Sequence, residues 1–165
     1  MRILTREEIN VEKKTLMEII FDGAVFIYPT DTIYGLGCNA LKSVSVKKIR
    51  DIKNRAQNPF SVIAPSKQWI FDNCIVGEKA IEWIEKLPGP YTLILKVKNS
   101  AVAKEVNLNL NTLGVRIPNH WFSSFVEELE VPIVTTSANK AGSNFMTSLD
   151  NLDLDIKNNG KFKFN

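Results

Sequence analysis

The chain has 165 residues, of which 44% are hydrophobic and 24% are charged, and its formal net charge is +3. This length and composition predict a single globular domain over residues 1–165 and argue against wholesale disorder. Because the net charge is small, any binding of an anionic ligand must come from local clusters of lysine and arginine.

The N-terminal residues and the two cysteines indicate the cellular compartment in which the protein is found. Met1–Glu8 is charged and holds no apolar core of signal-peptide length, and no apolar run in the sequence approaches a membrane span. Cys38 and Cys74 lie 36 positions apart without a CxxC motif, which predicts buried free thiols rather than a disulfide or a metal site. We therefore expect a cytoplasmic protein with no membrane partner.

The N-terminal segment predicts a helix followed by a strand. Thr5 and Glu8 have the spacing of a capping box, and the helix that they begin should end near Gly23. The next residues, Ala24–Tyr28, form a short apolar run of the kind found in interior strands.

The residues after this strand predict a ligand-binding loop. Pro29 ends the strand, and Thr30-Asp31-Thr32 places two hydroxyls and a carboxylate at its carboxyl end, where open α/β sheets bind ligands. Gly35 and Gly37 allow positive φ or a close approach of the backbone to a ligand. Alternatively, the threonines and the aspartate make only local hydrogen bonds with the backbone.

The remainder of the chain alternates helices and strands, which predicts an α/β fold whose sheet has room for antiparallel members. Beyond Ser148 the sequence offers few core residues, so we expect a partly mobile tail. The predicted elements are a helix capped by Ser43 and ending near Lys53, a strand over Phe60–Ala64, a short helix capped by Ser66, a helix over Glu78–Leu87, an edge or half-buried strand over Tyr91–Val97, a loop over Lys104–Asn111, a strand over Thr112–Ile117, a helix from about His120 to Glu130 capped by Asn119, and a strand over Ile133–Thr136.

Three cationic side chains are candidates for binding anions. Lys53 and Arg55 stand at a helix C-terminus, where both can turn toward one groove and hold a phosphate chain, or can simply complement the helix dipole. Arg116 interrupts an apolar strand, so its guanidinium either meets a fixed anion such as an amino-acid carboxylate or faces outward from an edge.

Two neutral polar residues follow the last predicted strand. Ser137 and Asn139 are at alternate positions, so their hydroxyl and amide can face one phosphate or adenosine group, or can form a polar turn. His120 is the one histidine in the sequence, and its place at a helix start favours capping or packing over a role as a base. The sequence has neither a Walker loop nor a GxGxxG motif after the first strand.

Five sequence blocks together carry a family resemblance. They are Tyr28–Gly37, Lys53-Asn54-Arg55, Pro88–Thr92, Gly114–Pro118 and Thr136–Asn139, and their order and spacing resemble those of the YrdC-like family over about residues 19–142. The resemblance implies a twisted mixed sheet, parallel and antiparallel, flanked by helices around a deep cavity. It also implies a nucleotidyltransferase that makes L-threonylcarbamoyl-AMP and pyrophosphate from L-threonine, bicarbonate and ATP, the first step of threonylcarbamoyladenosine modification of tRNA.

The resemblance also implies roles for individual residues. It assigns Lys53 and Arg55 to catalysis. The threonine-binding residues that it implies are Thr32, Arg116 and Thr135, and the nucleotide-binding residues are Lys53, Arg55, Asn58, Thr112, Ser137 and Asn139.

The chemistry implied by the family fits a sequence without a general-base histidine. A carbamate oxygen that is already anionic attacks the α-phosphate, so the reaction mainly needs positioning and neutralisation of charge. We expect Mg²⁺ to arrive with ATP and to be held mainly by phosphates. A separate protein would transfer the threonylcarbamoyl group, and direct contact with RNA or tRNA is open.

Two departures from the family pattern keep other functions open. Ala56-Gln57 lacks a proline that is common in the family, and the family's C-terminal segment is expected to be missing or divergent after about residue 145. One alternative is a paralogue that acts on another carbamoyl substrate. The other is a non-catalytic RNA-binding module with a basic strip formed by Lys42, Lys47, Lys48, Arg50, Lys53 and Arg55.

Overall fold

The structure, a computed structural model, describes residues 1–98, 100–140, 142, 144, 146 and 151–165. It has the predicted α/β architecture. Its strands are β1 (Arg2–Leu4), β2 (Phe26–Tyr28), β3 (Gly35–Gly37), β4 (Ser61–Ile63), β5 (Cys74–Ile75), β6 (Leu93–Val97), β7 (Thr112–Arg116), β8 (Ile133–Ser137) and β9 (Phe162–Phe164). Its helices are α1 (Arg6–Val11), α2 (Lys13–Phe21), α3 (Ser43–Lys53), α4 (Lys67–Asn73), α5 (Glu78–Glu85), α6 (Lys104–Asn107), α7 (Trp121–Leu129) and α8 (Leu154–Asn159).

The strands form one mixed sheet in the order β1-β9-β2-β3-β8-β4-β7-β6-β5. Strand β9 is parallel to both of its neighbours, and β4 is parallel to β7, whereas the remaining pairs are antiparallel. The predicted combination of parallel and antiparallel strands is therefore confirmed. The strand expected over Tyr91–Val97, either at an edge or half-buried, corresponds to β6, which pairs antiparallel with β7 on one side and with β5 on the other and is therefore not an edge strand.

The two faces of the sheet carry separate hydrophobic clusters, because alternate residues of a strand point to opposite faces. One cluster is rich in phenylalanine and includes Phe26, Phe122 and Phe164, which join β2, α7 and β9. The other is mainly aliphatic and covers the face on which α3, α6 and α8 pack. Helices therefore lie on both faces, and the cavity described below occupies part of the phenylalanine-rich face.

The predicted N-terminal helix is divided into α1 and α2. Its capping box is confirmed, since Thr5 Oγ1 accepts a hydrogen bond from the Glu8 amide while the Glu8 carboxylate accepts one from the Thr5 amide. The helix is interrupted at Glu12, whose backbone is non-helical. The predicted stop near Gly23 is also confirmed, and the φ of +104° at Gly23 is one that glycine adopts without steric cost.

The segment Gly35–Gly37 was expected to remain a loop, but it forms strand β3. Tyr28 pairs with Gly35 across the sheet, and its ring covers both glycines of β3. A Cβ atom on Gly35 would lie 2.4 Å from Tyr28 Cζ, and one on Gly37 would lie 2.7 Å from Tyr28 Cε1. The close approach that these glycines allow is therefore to a tyrosine ring of the neighbouring strand.

Three local predictions are wrong: two helix caps are shifted by one residue, and one predicted loop contains a helix. The N-cap of α3 is Lys42 rather than Ser43, and the N-cap of α7 is His120 rather than Asn119. The His120 Nδ1 atom accepts a hydrogen bond from the Phe122 amide, so the predicted capping role of this histidine is confirmed. The segment predicted as a loop over residues 104–111 contains the short helix α6.

The C-terminal residues contribute to the core, contrary to the prediction of a tail with few core residues. Strand β9 lies between β1 and β2, and Phe162 and Phe164 are buried among other aromatic rings. Leu152 and Ile156 are also buried. Ser148, at which the predicted tail begins, and residue 145, at which divergence from the family was expected, lie outside the described residues.

Cys38 and Cys74 are both buried and free, as the sequence predicted. Burial raises the pKa of each thiol, so neither is a reactive thiolate at neutral pH. Among the helices that the structure describes, none is both long enough and apolar enough to cross a membrane.

Candidate active site

A cavity of about 280 Å³ lies on the face of the sheet above β8, β4 and the end of β7. Two guanidinium groups and many hydroxyls face it, and no aspartate or glutamate occurs among the described residues that line it. Such a lining suits an anionic ligand. The hydroxyl-bearing residues are Thr30, Thr32, Tyr34, Ser61, Thr92, Thr135, Thr136 and Ser137, and the others are Ile33, Gly35, Arg55, Pro59, Phe60 and Arg116.

The alternation of side chains along β8 explains this lining. Ile133 packs in the phenylalanine-rich cluster, and the next residues on the same face, Thr135 and Ser137, line the cavity. The sequence led us to expect a site at the carboxyl ends of strands. Since β4 is antiparallel to β8 and parallel to β7, strands β7 and β8 run in opposite directions, and their carboxyl ends do not meet at the same end of the strands. The cavity therefore lies across the face of the sheet.

Arg116, at the end of β7, lines this cavity and forms an ion pair. Its Nη2 atom lies 2.8 Å from Asp31 Oδ1, and the Arg116 and Asp31 side chains are only 14% and 12% exposed. Arg116 Nε is buried, and no described residue accepts a hydrogen bond from it. The guanidinium therefore meets a fixed anion, as one sequence interpretation required, and keeps a donor for a ligand.

Arg55 is the second cation of the cavity. The αL conformation of Asn54 ends α3 and separates the directions of the side chains on either side of it. Arg55 Nη2 donates to the Pro59 carbonyl oxygen at 3.1 Å, and the guanidinium lies 5.3 Å from the centroid of the Phe60 ring. Burial lowers the pKa of Arg55, and its Nε has no acceptor among the described residues. An anionic ligand would offset this cost of burial.

Arg50 has a structural role that the sequence did not reveal. It is 8% exposed and donates hydrogen bonds to the carbonyl oxygens of Glu105 and Val106 in α6 and of Arg55 and Asn58 in the loop after α3. These bonds hold the loop that carries Arg55 against α6. The signal in the sequence was only that Arg50 follows an apolar residue on a helix, which gives no indication of burial.

Lys53 does not line the cavity but lies directly beneath its β8 wall. Its side chain is 1% exposed, and its ammonium donates to the carbonyl oxygens of Ser137, at 2.5 Å, and of Asn139. Burial, together with the nearby charge of Arg55, lowers the pKa of Lys53 to about 8. The structure thus brings Lys53 together with Ser137 and Asn139, through their backbones.

The remaining predicted site residues are not all brought together. Thr32, Thr135 and Ser137 line the cavity along with the two arginines. Asn58 is exposed beside Arg55, and Asn139 is buried in the turn after β8. Thr112 is on the same face of β7 as Arg116, but it begins the strand that Arg116 ends. No contact between these last three and the cavity is seen in the described part of the chain.

Sequence reasoning missed several residues of the site. Ser61 and Thr92 line the cavity, and Gly114 leaves room between them, because a Cβ atom there would lie 2.3 Å from Ser61 Oγ. Tyr34 also lines it, and the buried ammonium of Lys163 in β9 lies 4.4 Å from the centroid of the Tyr34 ring. A serine at the start of an apolar strand was the available signal for Ser61; nothing in the sequence indicated Lys163.

A second cavity of about 430 Å³ adjoins the first and shares Thr30, Thr32, Ile33 and Tyr34 with it. The loop between β2 and β3 thus separates two hollows. Thr30 fixes this loop, because its Oγ1 accepts from the Thr32 amide at 3.1 Å and donates to the Ile33 carbonyl oxygen at 2.7 Å. The local hydrogen bonds that the sequence offered as an alternative therefore coexist with the cavity.

The basic strip proposed for RNA binding is not formed as expected. Arg50 and Lys53 are buried, and Lys47 pairs with Glu105 at 3.5 Å. Two of the six cations are therefore withdrawn from the surface, which weakens the basis of that alternative.

A family model described as telomere recombination, the Sua5/YciO/YrdC model, matches residues 18–163. The chain belongs to the Sua5/YciO/YrdC family. The matched region extends beyond the five sequence blocks that carry the family resemblance, and it includes most of β9.

Relatives in the family are similar over most of this chain. A Methanocaldococcus jannaschii relative is 36% identical over 166 residues, which cover 94% of this chain and 76% of the relative. The Bacillus subtilis and Pyrococcus abyssi relatives are both named threonylcarbamoyl-AMP synthase and are 34% and 38% identical over 84% and 78% of this chain. The alignments cover only 41% and 39% of those two proteins, so the chain corresponds to less than half of their length.

Solved structures of the family have the same fold. The structure of H234A/Y235A P. abyssi Sua5 matches with a TM-score of 0.88 and 31% identity, over 99% of this chain and 52% of that one. P. abyssi Sua5 complexed with L-threonine matches with a TM-score of 0.86 and 28% identity, over 99% of this chain and 49% of that one. Escherichia coli YciO, at 21% identity, shares the fold with a TM-score of 0.80.

Proposed function

We propose that this chain condenses L-threonine, bicarbonate and ATP into L-threonylcarbamoyl-AMP and pyrophosphate. The observation that carries the proposal is that Arg55 and Arg116 line one cavity together with eight hydroxyl-bearing residues and, among the described residues, no acid. Membership of the family and the likeness to Sua5 complexed with L-threonine support this choice among anion-binding functions.

The reaction divides into two steps. The threonine amine and bicarbonate form a carbamate with loss of water, and a carbamate oxygen then attacks the α-phosphorus of ATP. The bond between that phosphorus and the bridging oxygen breaks, and pyrophosphate leaves with the electron pair. Because the nucleophile is already anionic, the site needs positioned cations and hydrogen-bond donors more than a base.

The two arginines divide the ligands between them. Arg116 would bind the threonine carboxylate, and the hydroxyl-bearing residues Thr32 and Thr135 line the same cavity. Arg55 would bind phosphate oxygens, and Ser137 lines the same cavity. The family resemblance assigns Asn58, Thr112 and Asn139 to the nucleotide as well, although none of them is among the described residues that line the cavity. Lys53 would act mainly by holding the backbone of the turn after β8.

Magnesium fits this site as an ion carried by the nucleotide. No group of three or more His, Cys, Asp or Glu residues that could hold a metal is found among the described residues. The cavity offers neutral hydroxyls, among them that of Ser137. When bound, Mg²⁺ would neutralise phosphate charge. The product would pass to a separate protein that modifies tRNA.

An assay with ¹⁴C-labelled bicarbonate tests the proposal. The purified chain is incubated with ATP, Mg²⁺ and L-threonine, and the labelled adenylate and pyrophosphate are measured. We expect both products only when all substrates are present, with a strong loss in Arg55→Gln and no change in Lys48→Gln, an exposed cation of the same region. Pyrophosphate release without bicarbonate, or equal activity with L-threonine and L-valine, would contradict the proposal.

A further inference from the structure

The ion pair between Asp31 and Arg116 joins two parts of the chain that are 85 residues apart. Asp31 lies in the loop between β2 and β3, and Arg116 ends β7. Both side chains are largely withdrawn from water, at 12% and 14% exposure, so the pair is less screened than a surface ion pair.

Asp31 makes a second bond that fixes its own position. While Oδ1 accepts from Arg116, Oδ2 accepts from the backbone amide of Asn119 at 3.0 Å. Asn119 lies between β7 and α7. A single carboxylate therefore ties the loop that separates the two cavities to both the cationic side chain and the connection that follows it.

The carboxylate is placed behind the guanidinium rather than in the cavity. Arg116 lines the 280 Å³ cavity, whereas Asp31 is absent from the described residues that line either this cavity or the adjoining one. A guanidinium has five N–H donors, and Asp31 accepts from Nη2, which leaves the buried Nε without an acceptor among the described residues. Arg116 is therefore held from one side and has donors left for a ligand.

We propose that Asp31 is a positioning residue, which orients Arg116 for the carboxylate of the amino-acid substrate. This inference rests on the proposed function. An arginine side chain without a fixed partner loses rotamer entropy when it binds a ligand, and a counter-ion that holds it in advance reduces that loss. The same carboxylate holds the loop of Thr30 and Thr32, so the hydroxyls of this loop and Arg116 keep one spacing.

A double-mutant cycle tests the inference through binding of L-threonine to the whole chain, measured by calorimetry. Asp31→Asn preserves shape and removes charge, and we expect it to weaken L-threonine binding about tenfold while binding of a non-hydrolysable ATP analogue stays within twofold. In an Arg116→Gln background, Asp31→Asn should weaken the remaining threonine affinity clearly less than in the wild type, because only its hold on the loop of Thr30 and Thr32 is then lost. Equal losses in both backgrounds, or weakening of both ligands, would overturn the proposal.

The single histidine gives a readout that is independent of ligand binding. Burial lowers the pKa of His120, and the charge of Asp31 opposes this effect. In Asp31→Asn the pKa of His120, followed by NMR, should therefore fall further, whereas an unchanged value would show that the carboxylate is not seated as the structure has it. If the wild-type chain binds no L-threonine, the proposed function fails; if it binds but Asp31→Asn binds equally well, only this inference fails.

Discussion

The ammonium of Lys53 lies 2.5 Å from the backbone carbonyl oxygen of Ser137 and also donates to that of Asn139. The end of α3 is thereby joined to the turn after β8, 84 residues further along the chain. Ser137 ends β8 and lines the cavity, so a lysine that does not reach the cavity still determines the position of a residue that does.

Replacing Lys53 with methionine should destabilise the protein by about 1–3 kcal/mol, because two carbonyl oxygens lose their donor in a place that water does not reach. Urea unfolding followed by circular dichroism measures the change. Lys48→Met is the matched control, since it removes an exposed lysine of the same helix. Equal unfolding midpoints for the two variants would contradict the structural role of Lys53.

The lowered pKa of Lys53 predicts a dependence of stability on pH. The folded-state pKa is about 8 and the usual value is about 10.5, so between these pH values the unfolded chain binds more protons than the folded one. The free energy of unfolding contributed by this group should therefore rise as the pH increases from 8 to 10.5. A neutral amine still has two N–H donors for the two carbonyls.

Urea unfolding at several pH values checks this sign. The rise should be present in the wild type relative to Lys53→Met, which has no titrating group at this position. If the difference between the two proteins falls over this pH range, the direction of the pKa shift is wrong.

Substitutions of the two arginines of the cavity should raise the KM values of different substrates. We expect Arg55→Gln to raise the KM for ATP by roughly 10- to 100-fold and to leave the KM for L-threonine nearly unchanged, and Arg116→Gln to do the reverse, because each loses a charge-assisted hydrogen bond to one ligand. Initial rates at varied concentrations of each substrate measure both constants.

A control variant is needed to interpret these kinetic constants. Lys42→Gln removes an exposed cation outside the cavity and should leave both constants unchanged. The division of ligands that we propose is wrong if either arginine variant raises both constants equally while its unfolding midpoint is that of the wild type.

Strand β9 should be essential to stability. Phe164 is fully buried and its ring contacts those of Phe26, Phe122 and Phe125, so Phe164→Ala should cost about 3–5 kcal/mol. Leu154→Ala, at a residue that is 71% exposed, should cost little. Similar denaturation curves for the two variants would show that β9 is not part of the core.

The sequence predicted elements well where local signals are strong. The capping box of Thr5 and the apolar run that became β2 needed no knowledge of tertiary contacts. The two-glycine strand β3 was missed because its stability comes from pairing and from the Tyr28 ring, neither of which is local. Strand β9 is only three residues long, and its burial depends on neighbours from the opposite end of the chain.

The site was predicted in part, for a similar reason. The sequence offered a fixed anion as one of two interpretations of Arg116, but it could not show that Asp31 is such an anion, because contacts over 85 residues depend on the fold. It grouped Lys53 with Arg55, whereas the αL turn at Asn54 sends one side chain beneath β8 and the other to the cavity. Arg50 was placed on the surface because its burial against α6 is a tertiary feature.

A crystal structure of the chain with L-threonine and a non-hydrolysable ATP analogue tests the central claim most directly. We predict the threonine carboxylate within about 2.7–3.1 Å of the Arg116 guanidinium and phosphate oxygens at similar distances from Arg55, both in the cavity above β8. Threonine bound elsewhere, for example in the groove lined by Trp83 and Tyr91, with neither arginine touching a ligand, would contradict the account.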